Sequence, residues 1–242
     1  MNLIHAQNLV VEFPIYTNLH RSLKSQVLHA TTGGRLASEA GRRAAVRAID
    51  DISFDIKAGD RVALMGHNGS GKTTLLRVLA GAYEPLAGKL LVQGRVASLL
   101  DLSMGMDPEA TGYENILLRG IMMGLHPRDV RKRMGEIAEF TELGEYLDMP
   151  VRTYSSGMQV RLAFAVSTSI EADVLLMDEW LAVGDAAFSE KASKRLEQLV
   201  ERSAILVIAT HSMDLVSRVC NRGLRLSQGK IVEEFVPPKR AA

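Results

Sequence analysis

The sequence is poor in aromatic residues, has one cysteine and carries almost no net charge. Aromatic side chains make up 5% of its 242 residues, which argues against an aromatic platform on which single-stranded nucleic acid stacks. The net charge of +1 provides no global basic field that would recruit nucleic acid or lipid, and it leaves room only for a local basic patch. We therefore predict no nucleic-acid partner.

Two further absences concern disulfides and membranes. Cys220 has no second cysteine to pair with, which suits a reducing compartment, and we predict that it is a small buried apolar residue. No run approaches the roughly 18 apolar residues that a membrane span needs, and the start, MNLIHAQNLVVEF, does not have the pattern of a signal peptide. If the protein serves a membrane, we expect it to act from the cytoplasmic side through a partner.

Short apolar runs alternate with helical patterns along most of the chain. Strands are predicted at 2–13, 51–56, Arg61–Met65, 174–177 and 204–209, with a strand pair, Lys89–Val92 and Val96–Leu100, around Gly88. Helices are predicted at 73–80, 158–170 and 188–201, and breakers at Gly124, Pro127 and Gly144 divide a helical block from Gly112 to Met149. This order indicates an α/β fold with a mainly parallel core sheet, an antiparallel β-subdomain and an inserted α-helical lobe.

We predict a single domain over residues 1–236, with the helical lobe at about 112–165 and a tail at 237–242. A basic stretch at about 17–47 contains the pair Gly33-Gly34 and apolar residues at helical spacing. It is predicted to be an insertion with a short amphipathic helix and a mobile loop. A solvated surface loop is the alternative.

Residues 66–73, Gly-His-Asn-Gly-Ser-Gly-Lys-Thr, fit the phosphate-loop pattern G-x-x-x-x-G-K-[ST] between a predicted strand and a predicted helix. Glycines let successive backbone N–H groups face phosphate oxygens, Lys72 brings a positive charge to the β- and γ-phosphates, and Thr73 offers a hydroxyl to Mg²⁺. His67 is interpreted as a variable filler. The predicted nucleotide contacts here are Gly66, Asn68, Gly69, Ser70, Gly71, Lys72, Thr73 and Thr74.

Two later strands end in polar residues that are expected to lie at the same sheet edge. Asp178 and Glu179 follow an apolar strand, and ligands of parallel α/β sheets bind beyond the carboxyl ends of strands. We predict that Asp178 holds Mg²⁺ and that Glu179 orients or deprotonates the attacking water. The next strand delivers His211, which is predicted to contact the γ-phosphate and to help position Glu179.

The segment Tyr154-Ser155-Ser156-Gly157-Met158 resembles the signature motif of the ABC transporter ATPases, as the variant Y-S-S-G-M of the commoner L-S-G-G-Q. In that family the motif closes over the ATP of the other subunit, so the resemblance implies a homodimer and nucleotide contacts by Ser155, Ser156 and Gly157. The run 181–185, Leu-Ala-Val-Gly-Asp, resembles the family's D-loop, which implies a contact by Asp185. The motifs occur in the family's order over nearly the whole chain.

A narrower resemblance is carried by Y-S-S-G-M, R-L-A-F-A-V, T-G-Y-E-N-I and the run D-E-W-L-A-V-G-D-A-A-F. Together they look like the ATPases that export bacterial O-antigen, capsular polysaccharide or teichoic acid. The resemblance implies a separate transmembrane permease and a place at the cytoplasmic face of the inner membrane. Some members of those families carry a C-terminal carbohydrate-binding domain, and we expect this chain to be of the kind without it.

The sequence departs from the family pattern at one position and is ambiguous at another. The family's glutamine that contacts Mg²⁺ and the permease has no counterpart between Val96 and Asp107, where Asp101 or a backbone group is the candidate replacement. An aromatic ring that stacks on adenine is expected near the end of the first strand. Both Phe13 and Tyr16 are candidates, and the sequence does not choose between them.

Three functions are compatible with a phosphate loop of this kind. The leading hypothesis is an exporter ATPase whose ATP-driven closure and reopening drive a permease, with a polysaccharide or another substrate as cargo. A soluble ABC protein of DNA repair or translation usually has a long coiled coil or two cassettes, and neither is visible in the sequence. An ATP-binding regulator without turnover would be free to lose Glu179 and His211, which are both present.

Overall fold

Two β-sheets form the frame of the protein in the computed structural model, which describes residues 2–14, 45–100, 105–179 and 186–238. The first sheet is antiparallel, with the order β2-β1-β4, and the second has the order β5-β6-β7-β3-β8-β9. In the second sheet the neighbouring strands from β5 to β8 are parallel, and β9 runs antiparallel to β8. The strands are β1 (Leu3–Pro14), β2 (Ala45–Lys57), β3 (Arg61–Met65), β4 (Ala87–Gln93), β5 (Val96–Leu99), β6 (Val174–Asp178), β7 (Ile205–Ala209), β8 (Arg222–Ser227) and β9 (Lys230–Phe235).

Helices cover the parallel sheet. Those of the described residues are α1 (Lys72–Leu79), α2 (Gly112–Met122), α3 (Pro127–Thr141), α4 (Ser156–Ser167), α5 (Ala186–Arg202) and α6 (Met213–Val219), with two 3-10 turns at Gly144–Asp148 and Val151–Thr153. Within these residues, no helix combines the length and the apolar character that crossing a membrane requires.

Strand β6, which lies between β5 and β7, is buried on both faces and divides the core into two parts. Val174 and Leu176 pack with α1 and the antiparallel sheet, whereas Leu175 and Met177 pack with the helices on the opposite face. Alternate residues of a strand point to opposite faces, so this short apolar run serves both layers. Its carboxyl end is thereby held rigidly between two cores.

The helical lobe is built from helices whose ends are encoded locally. Thr111 caps α2, because its hydroxyl accepts from the Glu114 N–H while the Glu114 carboxylate accepts from the Thr111 N–H. Pro127 begins α3, where its missing N–H removes no helical bond. The Ser155 side chain accepts from the Met158 N–H and caps α4.

The predicted α/β class, with a mainly parallel sheet, a separate antiparallel sheet and a group of helices between β5 and β6, is confirmed. The division of the chain into one domain and a tail stays a prediction. Most of the insertion predicted at 17–47 lies outside the described residues, but residues 45–47 belong to β2, so that its predicted end is too late.

The predicted strand pair around Gly88 is wrong. β4 pairs with β1 in the antiparallel sheet, whereas β5 pairs with β6 in the parallel sheet. Gly88 lies within β4, at a φ of +92°, where a Cβ atom would collide with the backbone oxygens of Gln7 and Asn8. Glycine here allows the close approach of β4 to β1, and the turn at Gly94 then sends the chain into the other sheet.

Candidate functional site

The predicted phosphate loop connects the carboxyl end of β3 to α1. Gly66 and Gly71 have φ angles of +149° and +107°, in the region that side chains disfavour. A Cβ atom at Gly66 would collide with the Leu226 carbonyl oxygen, and one at Gly71 would lie 2.7 Å from the carbonyl oxygen of Ala48. The loop therefore packs so tightly on β2 and β8 that only glycine fits at these two positions.

Lys72 folds back over the loop. Its side chain is largely buried, and its Nζ donates to the carbonyl oxygens of Gly66 at 2.7 Å and His67 at 3.1 Å. Gly71 precedes α1 without a side-chain cap, so no side chain at this position competes for the first N–H groups of the helix. Free N–H groups and a lysine at a helix start form an arrangement that suits a phosphate.

The carboxylate of Asp178 lies against the phosphate loop. The Thr73 hydroxyl donates to Asp178 Oδ2 at 2.7 Å, which joins the start of α1 to the end of β6. A hydroxyl and a carboxylate are the hard oxygen ligands that Mg²⁺ prefers, and Mg²⁺ keeps several waters where it is bound by few protein groups. No group of three or more His, Cys, Asp or Glu residues within the described ranges forms an all-protein metal cage.

Glu179 turns away from the strand and is held from β7. Its φ of +66° is unusual for a residue with a side chain. The buried Thr210 donates from Oγ1 to Glu179 Oε2 at 2.9 Å, and the His211 N–H donates to Oε1 at 3.2 Å. Both carboxylate oxygens are thus oriented, although the His211 contact comes from its backbone and its exposed imidazole remains available.

An aromatic ring from β1 lies in the lining of the same cavity as the phosphate loop. Phe13, the penultimate residue of β1, lies edge-to-face against Tyr83 with ring centroids 5.2 Å apart. Of the two aromatic candidates for the adenine contact, Phe13 lies beside the phosphate loop, whereas Tyr16 lies outside the described residues.

These groups surround one cavity of about 810 Å³, large enough for a nucleotide-sized ligand. Its lining includes eleven of the predicted site residues, namely Phe13, Asn68, Gly69, Ser70, Gly71, Lys72, Thr73, Thr74, Asp178, Glu179 and His211. The structure thus brings the phosphate loop, the acidic pair and the end of β7 together at the carboxyl edge of the parallel sheet. Asp101 and Asp185 lie outside the described residues.

Ser155, Ser156 and Gly157 do not line this cavity. Ser155, which caps α4, and Ser156 are exposed, and Gly157 is partly buried. The preceding residue, Tyr154, is buried in the helical lobe and donates to the Tyr146 carbonyl oxygen at 2.5 Å. Burial raises the pKa of the Tyr154 phenol. The tyrosine side chain therefore anchors the start of this segment to the helical lobe.

Sequence reasoning missed three polar contributors to the site. Arg47 and Gln228 line the cavity from β2 and from the turn between β8 and β9, and Thr210 holds Glu179. The position of Thr210 after an apolar strand, next to His211, was a usable sign. The sequence gives no such sign for Arg47 and Gln228, because only the packing of β2 and β8 on the phosphate loop brings them to the cavity.

Ion pairs hold the rim of the cavity at β2. Arg47 donates to Glu12 Oε1 at 2.7 Å and to Asp50 Oδ1 at 2.9 Å, and Lys230 lies 3.1 Å from Asp50 Oδ2. Hydrogen bonds from Arg47 and then Lys230 lower the pKa of Asp50, and the bond to Asp50 contributes most to raising the pKa of Arg47. All four groups are at the surface, so these pairs orient the Arg47 side chain more than they stabilise the fold.

The sequence profile of the ABC transporter family matches residues 49–182. The O-antigen export system ATP-binding protein RfbE of Yersinia enterocolitica is 46% identical over 228 residues, which are 94% of this chain and 95% of that protein. RfbB of Klebsiella pneumoniae, with the same description, is 40% identical over 95% of this chain and 92% of its own length. The teichoic acids export ATP-binding protein TagH of Bacillus cereus is 39% identical over 77% of this chain but over only 34% of its own length.

Solved structures share the fold at lower identity. The dimeric structure of a post-hydrolysis state of the ATP-binding cassette MJ0796, bound to ADP and Pi, matches 97% of this chain and 99% of that chain with a TM-score of 0.69 and 19% identity. The profile match spans more than half of the chain, and RfbE and RfbB cover nearly all of it. The chain therefore belongs to the ABC transporter family, as a cassette similar over most of its length to the ATP-binding proteins of O-antigen export systems.

Proposed function

We propose that the protein is the ATP-hydrolysing subunit of an ABC exporter that moves a polysaccharide, such as a lipid-linked O-antigen or capsule, through a separate permease. The observation that carries the proposal is the cavity in which the phosphate loop, Asp178 and the Thr210-held Glu179 meet. Two relatives that cover about 95% of this chain are O-antigen export proteins, which supports the cargo class.

The residues present fit ATP with Mg²⁺. The tight glycine cradle leaves room for phosphates, Lys72 supplies charge toward the β- and γ-phosphates, and the uncapped start of α1 offers free N–H groups. At the other end Phe13 offers a ring face for adenine. Bound Mg²⁺ would neutralise charge on the phosphates, and Thr73 with Asp178 would hold it.

Glu179 is the proposed catalytic base. Its oxygens are fixed by Thr210 and by the backbone of His211, so the carboxylate enters the cavity in one orientation. In that position it accepts a proton from, or aligns, the water that attacks the γ-phosphate. The His211 imidazole, exposed on the cavity wall, would donate a hydrogen bond to a γ-phosphate oxygen.

Catalysis in this proposal requires two copies of the chain. At the start of α4, Ser155 and Ser156 are exposed and Gly157 is partly buried. All three lie away from the chain's own cavity, so they are free to close over the nucleotide of a second copy. Asp185 would join the two sites. A homodimer with two nucleotides between its subunits follows, and ATP binding and hydrolysis would close and reopen it.

Coupling to transport is assigned to a transmembrane permease of the polysaccharide-exporter type, which would place the protein at the cytoplasmic face of the bacterial inner membrane. The basic insertion before β2 is proposed to contact the permease or the membrane surface, and deletion of residues 21–43 should then uncouple transport from ATP hydrolysis. A deletion variant with full export would contradict this role of the insertion.

Lys72→Ala tests the proposal, with Lys89→Ala, an exposed lysine on β4, as the matched control. We expect Lys72→Ala to lose ATP binding by equilibrium titration and to abolish surface polysaccharide in cells that depend on this chain, while Lys89→Ala changes neither. Unaltered ATP affinity in Lys72→Ala would overturn the nucleotide site. Loss of ATP hydrolysis with normal surface polysaccharide would leave an ATPase that exports another substrate.

A further inference from the structure

A second cleft, of about 820 Å³, lies at the amino ends of β5 and β6, whereas the nucleotide cavity lies at the carboxyl ends of the strands. Its walls come from α3, α5, the turn before β5 and the segment between α4 and β6. The lining residues on which the argument depends are Arg95, Arg133, Arg195, Arg202 and the segment 168–173. We refer to it as the arginine cleft.

The four guanidinium groups of the arginine cleft differ in their hydrogen-bond and ion-pair partners. Arg195 pairs with Glu136 at 3.0 Å, whereas Arg133 donates to the neutral carbonyl oxygen of Ser169 at 2.5 Å. Arg95 and Arg202 are exposed, and neither side chain has a hydrogen bond or ion pair within the described part of the chain. Three of the four guanidinium groups therefore lack a carboxylate partner there.

The acidic residues of the same lining leave this positive charge largely uncompensated. Glu136 is taken by Arg195. The Asp173 carboxylate accepts hydrogen bonds from the Arg95 N–H at 2.7 Å and from the Asn2 amide at 3.1 Å. Glu171 is the remaining acid, and it is exposed.

The backbone of the segment between α4 and β6 adds donors without acceptors. The N–H groups of Ile170, Glu171 and Ala172 meet no acceptor in the residues that the structure describes, although Ile170 is 2% and Ala172 9% exposed. All three residues line the cleft, so donors of this kind are available to an acceptor bound there. Successive free N–H groups also form the kind of concavity that binds anions.

We propose that the arginine cleft binds a small phosphorylated anion, separately from the nucleotide cavity. Arginine presents a planar fork of donors that matches phosphate oxygens, and the three N–H groups would bind the oxygens that remain. The cleft is concave and about as large as the nucleotide cavity, so it suits a compact anion with more than one phosphate. This inference does not depend on the proposed export function.

Inorganic pyrophosphate, titrated calorimetrically, is the probe. The cleft variant is Arg95→Ala/Arg202→Ala, and the control is Arg128→Ala/Arg131→Ala, which removes the same charge from exposed positions on α3 outside the cleft. We expect wild-type protein to bind pyrophosphate at two kinds of site. The cleft variant should lose one of them by about tenfold or more in affinity, because each lost hydrogen bond to a charged group costs roughly 1.5 kcal/mol or more.

Lys72→Ala distinguishes this site from the nucleotide cavity. The arginine-cleft site should persist in Lys72→Ala, and the cleft variant should keep wild-type ATP affinity, so the two proposals can fail separately. A single class of pyrophosphate site that disappears with Lys72, or an equal loss in the two arginine double variants, would overturn the inference.

Flotation with vesicles tests the source of the phosphate. Binding to phosphatidylglycerol vesicles that is absent from phosphatidylcholine vesicles and lost in the cleft variant alone would identify a lipid headgroup. Pyrophosphate binding without vesicle binding would identify a soluble phosphorylated compound.

Discussion

The hydroxyl of Thr210 donates a hydrogen bond of 2.9 Å to Oε2 of Glu179. Thr210 directly follows β7 and Glu179 directly follows β6, so the bond joins the ends of two neighbouring strands. Thr210 is fully buried, so this bond fixes the carboxylate from a rigid part of the fold. The N–H of Ser212 in turn donates to the Thr210 hydroxyl at 3.1 Å, which leaves the hydroxyl proton for Glu179. Thr210 is therefore a positioning residue for the proposed catalytic base.

Thr210→Val tests this relationship, since valine keeps the shape and removes the hydroxyl. We expect kcat for ATP hydrolysis to fall about ten- to a hundredfold with little change in KM, because a hydrogen bond to a charged group contributes roughly 1.5–3 kcal/mol. Thr210→Ser retains the donor and should remain within a few fold of wild type. Equal kinetics of the valine and serine variants would show that the Thr210 hydroxyl does not position Glu179.

Glu179→Gln removes the proposed base and keeps the size of the side chain. The amide cannot accept a proton from water, so hydrolysis should stop while Lys72, Thr73 and Phe13 still bind ATP. The variant should then accumulate as a closed dimer in ATP, which size-exclusion chromatography with light scattering measures. Normal turnover in Glu179→Gln would exclude the residue from catalysis, and a monomer that binds ATP would contradict the composite site.

How much of the site could be predicted depends on how far apart its parts lie in sequence. The phosphate loop is contiguous, so the spacing of Gly66, Gly71 and Lys72 is enough to identify it. The acidic pair followed from the rule that parallel strands present their carboxyl ends at one edge. Both were accessible without knowing any tertiary contact.

The remainder depended on long-range packing. Gln228 reaches the cavity because its neighbour Gly229 is held by two hydrogen bonds: the Gly229 N–H donates to the Ser70 carbonyl oxygen, and the Asp50 N–H donates to the Gly229 carbonyl oxygen. Both bonds join residues more than a hundred positions apart, which no local pattern encodes. β4 likewise pairs with β1 instead of with β5, which follows it in sequence. Gly88 permits the close approach of β4 to β1, and the residues around Gly88 in the sequence do not indicate this partner. Local patterns predict elements better than they predict partners.

The thiol of Cys220 gives a prediction on pH. Cys220 follows α6 and packs partly into the core, and this burial raises its pKa from 9.0 to about 12, with Arg61 acting weakly in the opposite direction. The folded state therefore holds the proton more tightly than the unfolded state. Its stabilising contribution is complete below pH 9.0 and is lost as the pH rises toward about 12.

Two measurements check this behaviour of Cys220. Iodoacetamide labelling at pH 8, followed by mass spectrometry, should be slow in the native protein and fast in urea, because the thiolate is the reactive form. Urea unfolding between pH 8 and pH 11 should show a smaller alkaline loss of stability in Cys220→Ala than in wild type. Rapid native labelling or identical pH slopes would indicate an ordinary exposed thiol.

A substitution at Gly157 distinguishes what the fold of one chain requires from what the proposed dimer requires. A Cβ atom at this position in α4 would meet only Ser155 Oγ, at 3.9 Å, and the φ angle of Gly157 is not positive. Nothing in the chain's own packing therefore requires glycine. If the start of α4 approaches the nucleotide of a second copy, the added methyl group would occupy the space that the phosphates need.

We accordingly expect Gly157→Ala to unfold at a urea concentration no lower than wild type while its ATPase activity falls at least about tenfold, equivalent to about 1.4 kcal/mol of transition-state stabilisation. Gly135→Ala, in the exposed middle of α3 with nothing within 4 Å of the added carbon, is the control. It should gain about 0.5–1 kcal/mol of stability from helix propensity and keep full activity. Full activity in Gly157→Ala would mean that the start of α4 does not close over the partner's nucleotide, whereas a loss of stability would mean that this chain's own fold selects the glycine.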